Sequence, residues 1–533
     1  MAARIAVIGS GVAGLAAAWL LSRNHDVTLY EAEDRLGGHS HTHVIDLGDG
    51  PFAVDSGYIV YNEHTYPNLT ALYAHLGVAT APSSMSFALS ADDGAYEYCG
   101  AGLNGLYAQR GNLLSPRHHL LVADLLRFFR VAPGDLESGR ALGRSLGDYL
   151  KGRGFSQAFT DYHIAPMAAA IWSTPDADVL AFPAASFLRF FANHGLLQTK
   201  GRPQWRTVVG GSHAYVERLA GDLRSRGATL RLGAPVTRIE PLSRSSAYAP
   251  SSAVGTDAVA VHAGGDNQSF DHVVIAAHPD QALRMLSVDP HAGRGAYPGA
   301  NAGDGGAVEG LAACTYTSNT AVLHTDPAQM PQRRAVWSSW NYLMAGPASH
   351  AGAGTEQRLA TEDAQGQQGG SGDVSLTYWM NSLQPLPTAH DVFVTLNPVT
   401  PIASEHELAR MAYAHPLFNE GIGSAQARVW EAQGVGNTWY CGAWLGYGFH
   451  EDGLQSGLAV AEAVHATIAG PASADGRDGL RPWAQDQDAA HALNARLLIE
   501  QAGPPRALAS GATGAMASVR TAVPDQRQSA ELV

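Results

Sequence analysis

A glycine-rich turn near the start of the chain constrains the fold more than any other feature of the sequence. Residues Gly9–Gly14 read Gly-Ser-Gly-Val-Ala-Gly, follow the apolar run Arg4–Ile8 and open the helical run Leu15–Ser22. A second strand-like run ends at Glu31, roughly 20 residues after the turn. This order of strand, glycine turn, helix, strand and acid is typical of a βαβ unit that binds a dinucleotide.

Each element of this unit has a physical task. Gly9 permits a tight turn, Gly11 lets the backbone approach a pyrophosphate, and Gly14 allows the helix to pack closely on the strand. The N-terminus of the helix offers unpaired N–H groups and a partial positive charge to the phosphates, while Glu31 accepts hydrogen bonds from ribose hydroxyls. We therefore predict that the cofactor-binding residues here are Gly9, Ser10, Gly11, Ala13, Gly14, Glu31 and Ala32.

Composition and charge exclude several other classes of protein. The 533 residues suffice for two to four domains, and their formal net charge of −14 argues against binding to nucleic acid by bulk charge. Three cysteines cannot form a disulfide framework. No run reaches the roughly 18 apolar residues of a membrane span, and glycines interrupt the first apolar run in a way that a secretory signal does not require. We expect a cytoplasmic protein.

Two further motifs extend the cofactor site. A second glycine pair, Gly37-Gly38, follows the acid, and a late segment reads Trp-Tyr-Cys-Gly-Ala-Trp over residues 439–444 before Gly453–Gly457. This combination resembles FAD proteins of the glutathione-reductase type, especially flavin amine oxidases. The resemblance implies non-covalent FAD, with the late segment along the ribityl chain and the next helix directed at the flavin. It adds as cofactor-binding residues Arg35, Gly37, Gly38, His39, Thr42, Val236, Gly442, Ala443, Gly453, Leu454 and Ser456.

Further motifs narrow the resemblance. They span residues 62–69, 171–174, 193–198, 202–205, 339–342, 378–381 and 446–453. With them the chain is similar, over roughly residues 4–468, to bacterial NAD/FAD-binding oxidoreductases of the amine-oxidase superfamily and to the N-terminal flavin domain of plant cyclopropane fatty-acid synthases. That resemblance implies a FAD-dependent oxidoreductase that oxidises an unsaturated or methylated fatty acyl chain, a hydrophobic substrate of lipid modification.

Two departures from true amine oxidases bear on the reaction. Those enzymes commonly place a lysine near the flavin from the later part of the substrate domain, yet Lys151 and Lys200 are the only lysines of this chain. The late Gly-Asp or Gly-Glu pair is replaced by Gly442-Ala443. Three alternatives stay open: a flavin amine oxidase, a polyprenoid or porphyrinogen-type dehydrogenase, and a non-catalytic FAD-bound partner of a lipid methyltransferase.

The predicted fold is α/β, with a glutathione-reductase-type FAD-binding Rossmann domain and an interleaved α+β substrate domain, as in amine oxidases. The FAD domain comprises residues 1–75, 205–290 and 415–468, and the substrate domain comprises 76–204 and 311–414. Residues 291–310 and 345–372 are rich in Gly, Ala, Ser and Gln and predict flexible insertions. Residues 469–533 predict a low-complexity tail.

Candidate reactive residues follow from the late motif. His450 and Glu451 precede Gly453 and would border the flavin, where either could accept a proton while hydride leaves a substrate carbon. The alternative is that Glu451 and Asp452 cap the helix. An aromatic substrate pocket is predicted from five residues, with sheet core as the alternative for about half of them: Trp340, Tyr342, Trp379, Trp444 and Tyr447.

Three remaining patterns have a functional and a structural interpretation. His39, His41 and His43 alternate as metal ligands on a strand would, but their place after Gly37-Gly38 favours packing along the cofactor, and we predict no metal. Cys441 predicts a small buried residue rather than a covalent flavin link. The run Leu120–Arg130 predicts a core-facing helix or, alternatively, a peripheral contact with the inner face of the membrane.

Overall fold

The computed structural model describes residues 2–172, 179–198, 201–242, 259–286, 305–344, 374–419 and 421–469. The predicted insertion at 345–372, most of the one at 291–310 and the tail after 469 lie outside the described residues. Among the described helices, none is both long and apolar enough to cross a membrane.

A parallel five-stranded sheet forms the first layer of the fold. Arg4–Ile8 lies at its centre, paired in parallel with a strand on each side, and its apolar residues are buried. The order of strands across the sheet is Thr229–Arg231, Asp26–Tyr30, Arg4–Ile8, His272–Ile275 and Thr438–Tyr440. This is the third, second, first, fourth and fifth strand in chain order, the doubly wound arrangement of a Rossmann domain. The predicted α/β fold with a Rossmann domain is confirmed.

Two helices from opposite ends of the chain pack against each other beside this sheet. Val12–Leu21 is buried on all sides, and His450–Ala469 packs along it. Gly457 makes this approach possible, since a Cβ there would collide with the carbonyl oxygen of Ala13. The helix His213–Ser225 also contacts Val12–Leu21. An antiparallel sheet connects the third and fourth strands of the Rossmann sheet and consists of Val236–Pro241, Val259–Ala263 and Asp266–Phe270.

A seven-stranded sheet forms the centre of the second domain. Most of its pairs are antiparallel, but Trp340–Met344 runs parallel to Phe87–Ala91. Its strands, in spatial order, are Glu407–Pro416, Tyr316–His324, Phe393–Leu396, Val374–Trp379, Trp340–Met344, Phe87–Ala91 and Tyr96–Cys99. The α-helices described between residues 67 and 193 are Pro67–Leu76, Gly102–Leu106, Pro116–Glu137, Leu146–Gly152, Gln157–Phe159, Ala165–Trp172 and Ala184–Asn193.

Shorter elements complete the described chain. Thr42–Asp46 pairs with Pro51–Asp55, and Trp205–Val208 lies between Tyr61–Asn62 and Thr80–Ser83. The remaining α-helices are Pro279–Met285, Gly305–Ala313, Met380–Leu383 and Ile422–Glu431.

One predicted boundary needs correction. Gly305–Ala313 is a helix packed against Ile422–Glu431, so residues 305–310 are not part of a flexible insertion, because Ala307 and Leu311 bury their side chains there. A π-helical turn at Thr160–Ile164 separates the helices Gln157–Phe159 and Ala165–Trp172.

Candidate functional site

A cavity of about 1680 Å³ extends from the glycine turn to the seven-stranded sheet. Pockets for one small ligand occupy roughly 300–1000 Å³, so this cavity has room for a cofactor and a second molecule. We call the part lined by the loops of the Rossmann sheet the glycine half. The part lined by the second domain, together with residues 444–449, is the aromatic half.

The glycine turn forms one end of the glycine half. Gly9 has a φ of +98°, and a Cβ there would approach the carbonyl oxygen of Ala276 to 2.7 Å, so this position requires glycine. A Cβ on Gly11 would meet nothing within 4 Å, because the position faces the open cavity. The helix beginning at Val12 has no side-chain cap at Gly11, which leaves its first N–H groups available to an anion.

Glu31 is held at the end of its strand by the turn itself. One carboxylate oxygen accepts hydrogen bonds from the backbone N–H (2.8 Å) and hydroxyl (2.5 Å) of Ser10, and the other accepts from the N–H of Glu33 (2.9 Å). Glu31 also lines the cavity. A carboxylate has about four acceptor sites, so this fixed side chain can still accept from ribose hydroxyls.

The second glycine pair lies directly against the first turn. The N–H of Gly37 donates to the carbonyl oxygen of Ser10 (3.1 Å), and a Cβ on Gly38 would come within 3.1 Å of the Cα of Gly11. Arg35 donates to the carbonyl oxygen of Gly38 (2.9 Å). Most of the predicted cofactor-binding residues line this half, namely Gly9, Ser10, Gly11, Ala13, Glu31, Ala32, Arg35, Gly37, Gly38, His39, Val236, Gly442 and Ala443.

Five predicted cofactor-binding residues support the loops instead of lining the cavity. Gly14 packs on the carbonyl of Gly9, Gly453 packs on Val12 and Ala443, and Leu454 is fully buried. The hydroxyl of Ser456 accepts from the N–H of Gly442 (3.0 Å) and fixes that turn. The hydroxyl of Thr42 donates to Asp55 (2.5 Å), whose carboxylate accepts from the N–H of Ser212 (2.9 Å). These residues shape the site from behind its wall.

The aromatic half contains three of the five predicted substrate-pocket residues. Trp340, Trp444 and Tyr447 line the cavity, and Trp340 meets Tyr378 edge to face with ring centroids 5.2 Å apart. The indole N–H groups of Trp340 and Trp444 are buried without a hydrogen-bond partner in the part of the chain that the structure describes. Each is therefore a donor that a bound molecule could satisfy.

The other two residues predicted to line the pocket, Tyr342 and Trp379, do not line the cavity. Tyr342 is completely buried in the core, and Trp379 donates from its indole N–H to Asp391 (3.0 Å); neither side chain lines the cavity. Trp379 follows Tyr378 in its strand, and consecutive strand residues point to opposite faces of a sheet. Tyr378 therefore faces the cavity and Trp379 faces away from it.

Sequence reasoning missed much of the aromatic half. The helix Ala184–Asn193 contributes Phe190, whose ring stacks on Phe449 with centroids 4.7 Å apart. Farther along, leucines and an aromatic side chain from residues 103–129 extend the cavity toward the surface. No motif marks the positions within 103–129 or Phe190, although aromatic residues recur along the run 187–194. The missed residues include Leu103, Leu106, Leu125, Leu126, Phe129, Phe190, His194, Trp205 and Tyr378, of which the last three lie within the motifs that carry the resemblance.

The profile of the family described as flavin containing amine oxidoreductase matches residues 12–465 of the chain. The chain belongs to this family. It is an FAD-dependent oxidoreductase, and the match begins within the glycine turn and covers both domains and the late motif. The similarity to flavin amine oxidases inferred from those motifs is confirmed, whereas a similarity to plant cyclopropane fatty-acid synthases stays a prediction.

Relatives of known activity are similar to the oxidoreductase over different extents. The flavin-dependent L-tryptophan oxidase of Lentzea aerocolonigenes is 36% identical over 104 residues, which cover 19% of this chain and 21% of that oxidase. Cyclohexylamine oxidase from Brevibacterium oxydans superposes with a TM-score of 0.56 at 14% identity, covering 88% of this chain and 100% of the other. A conjugated linoleic acid (CLA)-producing fatty acid isomerase from P. acnes gives 0.54 at 16% identity, covering 85% and 97%.

The glycine half of the oxidoreductase suits FAD in three respects. The open space beside Gly11 and the uncapped helix at Val12 suit a pyrophosphate, and Glu31 suits a ribose. Gly442 and Ala443 line the passage from this half to the aromatic half. These residues would hold the cofactor, and FAD would supply a two-electron acceptor between the two halves.

His450 lies on the cavity wall, but its ring already contacts other protein side chains. Its Nε2 is 2.6 Å from the hydroxyl of Tyr215 and 3.3 Å from that of Ser40, and its ring stacks on Tyr58 with centroids 3.8 Å apart. Burial lowers the pKa of His450 to about 3, so the imidazole is neutral at physiological pH. Its Nε2 shares this hydrogen bond with Tyr215, whose pKa is raised by burial.

Glu451 does not reach the cavity. Its carboxylate accepts hydrogen bonds from the backbone N–H groups of Asn68 and Leu69, both 2.9 Å, and from the side-chain amide of Asn68 at 2.8 Å. It thus binds the N-terminus of the helix Pro67–Leu76, where the helix dipole favours a negative charge. The expectation that Glu451 accepts a substrate proton does not fit this geometry. Glu451 also does not cap its own helix, as the alternative predicted, but the helix Pro67–Leu76. Asp452 accepts from the N–H of Phe449 (2.9 Å).

A group of three histidines and a tyrosine joins the two halves, and sequence reasoning found only one of its members. We call His39, His278, Tyr413 and His415 the histidine group. His39 stacks on Tyr413 (4.9 Å between centroids) and lies 5.5 Å from His415 and 6.4 Å from His278. All four line the cavity, and the Nε2 of His39 is buried with no partner among the described residues. Burial, reinforced by His415 and His278, lowers the pKa of His39 well below its ordinary value.

The remaining candidates, His41, His43 and Cys441, contact other protein side chains or are buried in the core. His41 and His43 lie 4.2 Å apart between ring centroids, and they contact Tyr413 and Ser56 respectively. Within the described residues, no three His, Cys, Asp or Glu side chains are grouped as metal ligands. Cys441 is a buried free thiol that does not line the cavity.

Proposed function

We propose that this oxidoreductase oxidises a long apolar substrate, an unsaturated or methylated fatty acyl chain. One observation carries the proposal: the described wall of the aromatic half is made mainly of aromatic and aliphatic side chains and contains no carboxylate. A hydrocarbon chain transferred into such a wall gains about 0.8 kcal/mol per buried CH₂ group.

The same wall argues against a cationic amine as substrate. Among the described residues that line the cavity, only Glu31 and Glu33 are acidic, and both belong to the glycine half. A protonated amine in the aromatic half would find no opposite charge to offset its desolvation. Arg202, in contrast, lines the cavity and is exposed, so it can pair with the carboxylate of a fatty acid.

The fold alone leaves both reaction classes open. An oxidase of cyclohexylamine and a fatty acid isomerase share it at similar TM-scores, and both are too distant in sequence to transfer a substrate. The motifs that resemble the flavin domain of plant cyclopropane fatty-acid synthases favour an acyl chain, in agreement with the aromatic half.

The chemistry requires one hydride acceptor and one proton acceptor. Bound FAD would supply the acceptor for the hydride of a substrate carbon, and a residue of this chain must accept the proton that the neighbouring carbon loses as a C=C bond forms. Neutral imidazoles are available for the proton, and the Nε2 of His39 is buried at the cavity without a partner in the described chain. Its lowered pKa keeps the His39 imidazole neutral at pH 7, which a proton acceptor requires. Oxygen or another oxidant would then accept the electrons.

Anaerobic rapid mixing tests the proposal directly. The purified holoenzyme is mixed with unsaturated acyl chains, methyl-branched acyl chains, primary amines and a porphyrinogen, and bleaching of the flavin is recorded. We expect an acyl chain to reduce the flavin and to yield a product two hydrogens poorer by mass spectrometry. The variant Trp379→Phe, altered outside the cavity, serves as a control and should reduce at the wild-type rate.

Each other outcome selects a different function. Reduction by amines with release of aldehyde would replace the proposal with amine oxidation, and reduction by the porphyrinogen alone would favour that class of dehydrogenase. A holoenzyme that no substrate reduces, but that co-purifies with a lipid methyltransferase, would be a non-catalytic partner. Comparative lipidomics of a deletion strain and its complement provides an independent check, since an unchanged acyl profile would contradict the proposal.

A further inference from the structure

The cavity reaches the protein surface through a segment rich in exposed leucines. Leu103 and Leu126 both line the cavity and are exposed to solvent, at 75% and 52% respectively. Leu106, Leu125 and Phe129 continue the wall inward from them. We call residues 101–130 the entrance segment. Its sequence links the helix Gly102–Leu106, the 3₁₀ turn Arg110–Leu114 and the first part of the helix Pro116–Glu137.

More apolar surface is exposed here than the cavity requires. Leu113, Leu114 and Leu120 do not line the cavity, yet they are 51%, 88% and 51% exposed. Five of the large hydrophobic residues exposed in the described chain thus fall within 24 positions of one another. Clustered apolar side chains at a surface mark a site of interaction, whereas single ones need no explanation.

The entrance segment holds these leucines in a defined conformation. The Nε2 of His119 lies 2.9 Å from the carbonyl oxygen of Leu113, and its Nδ1 lies 3.0 Å from the hydroxyl of Tyr107. A guanidinium N–H of Arg110 donates to the carbonyl oxygen of Tyr107 (3.0 Å). The turn is therefore tied to its flanking helices while Leu113 and Leu114 project outward.

Charge identifies the partner of this surface. The entrance segment contains Arg110, Arg117, Arg127 and Arg130 against a single acidic residue, Asp124, although the whole chain carries a net charge of −14. Arg110, Arg117 and Arg130 are exposed, and the guanidinium of Arg117 lies over the rings of Tyr96 and Tyr162 at 4.7 and 4.5 Å. Leucines flanked by arginines match the acyl layer and the anionic headgroups of a bilayer.

We propose that the entrance segment docks on an anionic phospholipid membrane, with Leu113, Leu114 and Leu120 in the interface and the mouth at Leu103 and Leu126 facing the acyl layer. The inference rests on the proposed function in one respect: an acyl substrate could then pass from the bilayer into the cavity without crossing water. The binding of the membrane itself requires no substrate and is tested separately.

Vesicle co-sedimentation of the full-length holoenzyme tests the docking. The probes are vesicles of phosphatidylcholine mixed with phosphatidylglycerol and vesicles of phosphatidylcholine alone. The double variant Leu113→Ser, Leu114→Ser changes only residues outside the cavity wall. Val44→Ser, at a side chain that is 70% exposed on the strand Thr42–Asp46, is the matched control. Flavin absorbance shows that each variant still binds its cofactor.

We expect the wild type and Val44→Ser to bind the anionic vesicles. The double leucine variant should bind them with an affinity lower by about tenfold or more. Arg110→Glu with Arg117→Glu should remove the preference for phosphatidylglycerol. The proposal is overturned if the wild type stays in the supernatant, or if the leucine variant binds as the control does. It is also overturned if size exclusion shows that the leucines hold two copies of the chain together.

The two proposals can fail independently. A wild type that binds anionic vesicles but whose flavin no acyl chain reduces would keep the docking surface and refute the function. If an acyl chain dispersed in detergent reduces the flavin but the protein binds no vesicles, the proposed function is kept and the docking surface is refuted.

Discussion

The two halves of the cavity are built in different ways. The glycine half is made of backbone and small side chains from loops that follow strands, and Gly9, Gly11 and Gly38 bring those loops into contact. The aromatic half is made of large side chains from segments scattered between residues 85 and 449. A backbone-built site depends on positions where any side chain is excluded, whereas a site built from side chains tolerates replacements of similar volume.

The largest effect is expected where a side chain would fill the glycine half. Gly11→Val should fold, because a Cβ meets nothing within 4 Å, but the side chain would occupy the space for the pyrophosphate. We expect FAD affinity to fall by roughly 100-fold or more, as a lost phosphate contact and a steric clash combine. Flavin absorbance per protein and titration of the apoprotein with FAD measure this loss.

Two further glycine variants sharpen that test. Gly221→Val, on the exposed face of the helix His213–Ser225, also has open space around its Cβ and should retain FAD. Gly14→Val should fail to fold, since its Cβ would collide with the carbonyl oxygen of Gly9. A yellow Gly11→Val protein with wild-type affinity would mean that the cofactor does not approach this turn.

The next largest effect concerns stability rather than catalysis. Glu451→Ala removes three hydrogen bonds at the buried N-terminus of Pro67–Leu76 and leaves those donors unsatisfied. We expect the free energy of unfolding to fall by about 2–4 kcal/mol, as measured by denaturant titration. Flavin reduction in the surviving folded protein should stay within about twofold of the wild type. Slower flavin reduction at unchanged stability would show that Glu451 takes part in catalysis.

A paired change in the aromatic half should have a smaller effect. Trp340→Ala widens the wall of the cavity, whereas Trp379→Ala removes an indole that bonds to Asp391 away from it. We expect Trp340→Ala to raise the KM for a long acyl chain by about tenfold, since one apolar contact contributes on the order of 1–3 kcal/mol. Trp379→Ala should lower thermal stability and leave KM unchanged. Equal KM values would place the substrate elsewhere.

This difference in construction also explains what the sequence could predict. Most of the predicted cofactor-binding residues line the cavity because the motif is local: Gly9, Gly11 and Glu31 lie within one βαβ unit. Pocket residues depend instead on the face of a strand and on packing between distant segments. The sequence therefore could not distinguish Tyr378 from Trp379, or foresee that Glu451 binds the helix that begins at Pro67.

The smallest predicted effect arises where the two halves meet, at the histidine group. Burial, with His278 nearby, lowers the pKa of His415 to about 4, and burial also lowers the pKa values of His39 and His278, with Arg35 adding positive charge near His39. The unfolded chain, with histidine pKa values near 6.5, binds more protons than the folded chain between pH 6.5 and 4. The contribution of these neutral imidazoles to stability is therefore complete above pH 6.5 and is lost as the pH falls toward 4.

Thermal unfolding at pH 7.5 and 5.5 measures this contribution, and His415→Gln isolates one member of the group. Glutamine retains an acceptor for the side-chain amide of Asn319, which donates to the Nδ1 of His415 over 3.2 Å, but it does not titrate. We expect the wild type to lose about 2 °C more than the variant between the two pH values. Asp55, whose pKa burial raises to about 6, has the opposite dependence on pH, but it is present in both proteins and cancels in the difference. Identical shifts in Tm would show that His415 is not buried as a neutral imidazole, so that the junction of the two halves is open to water.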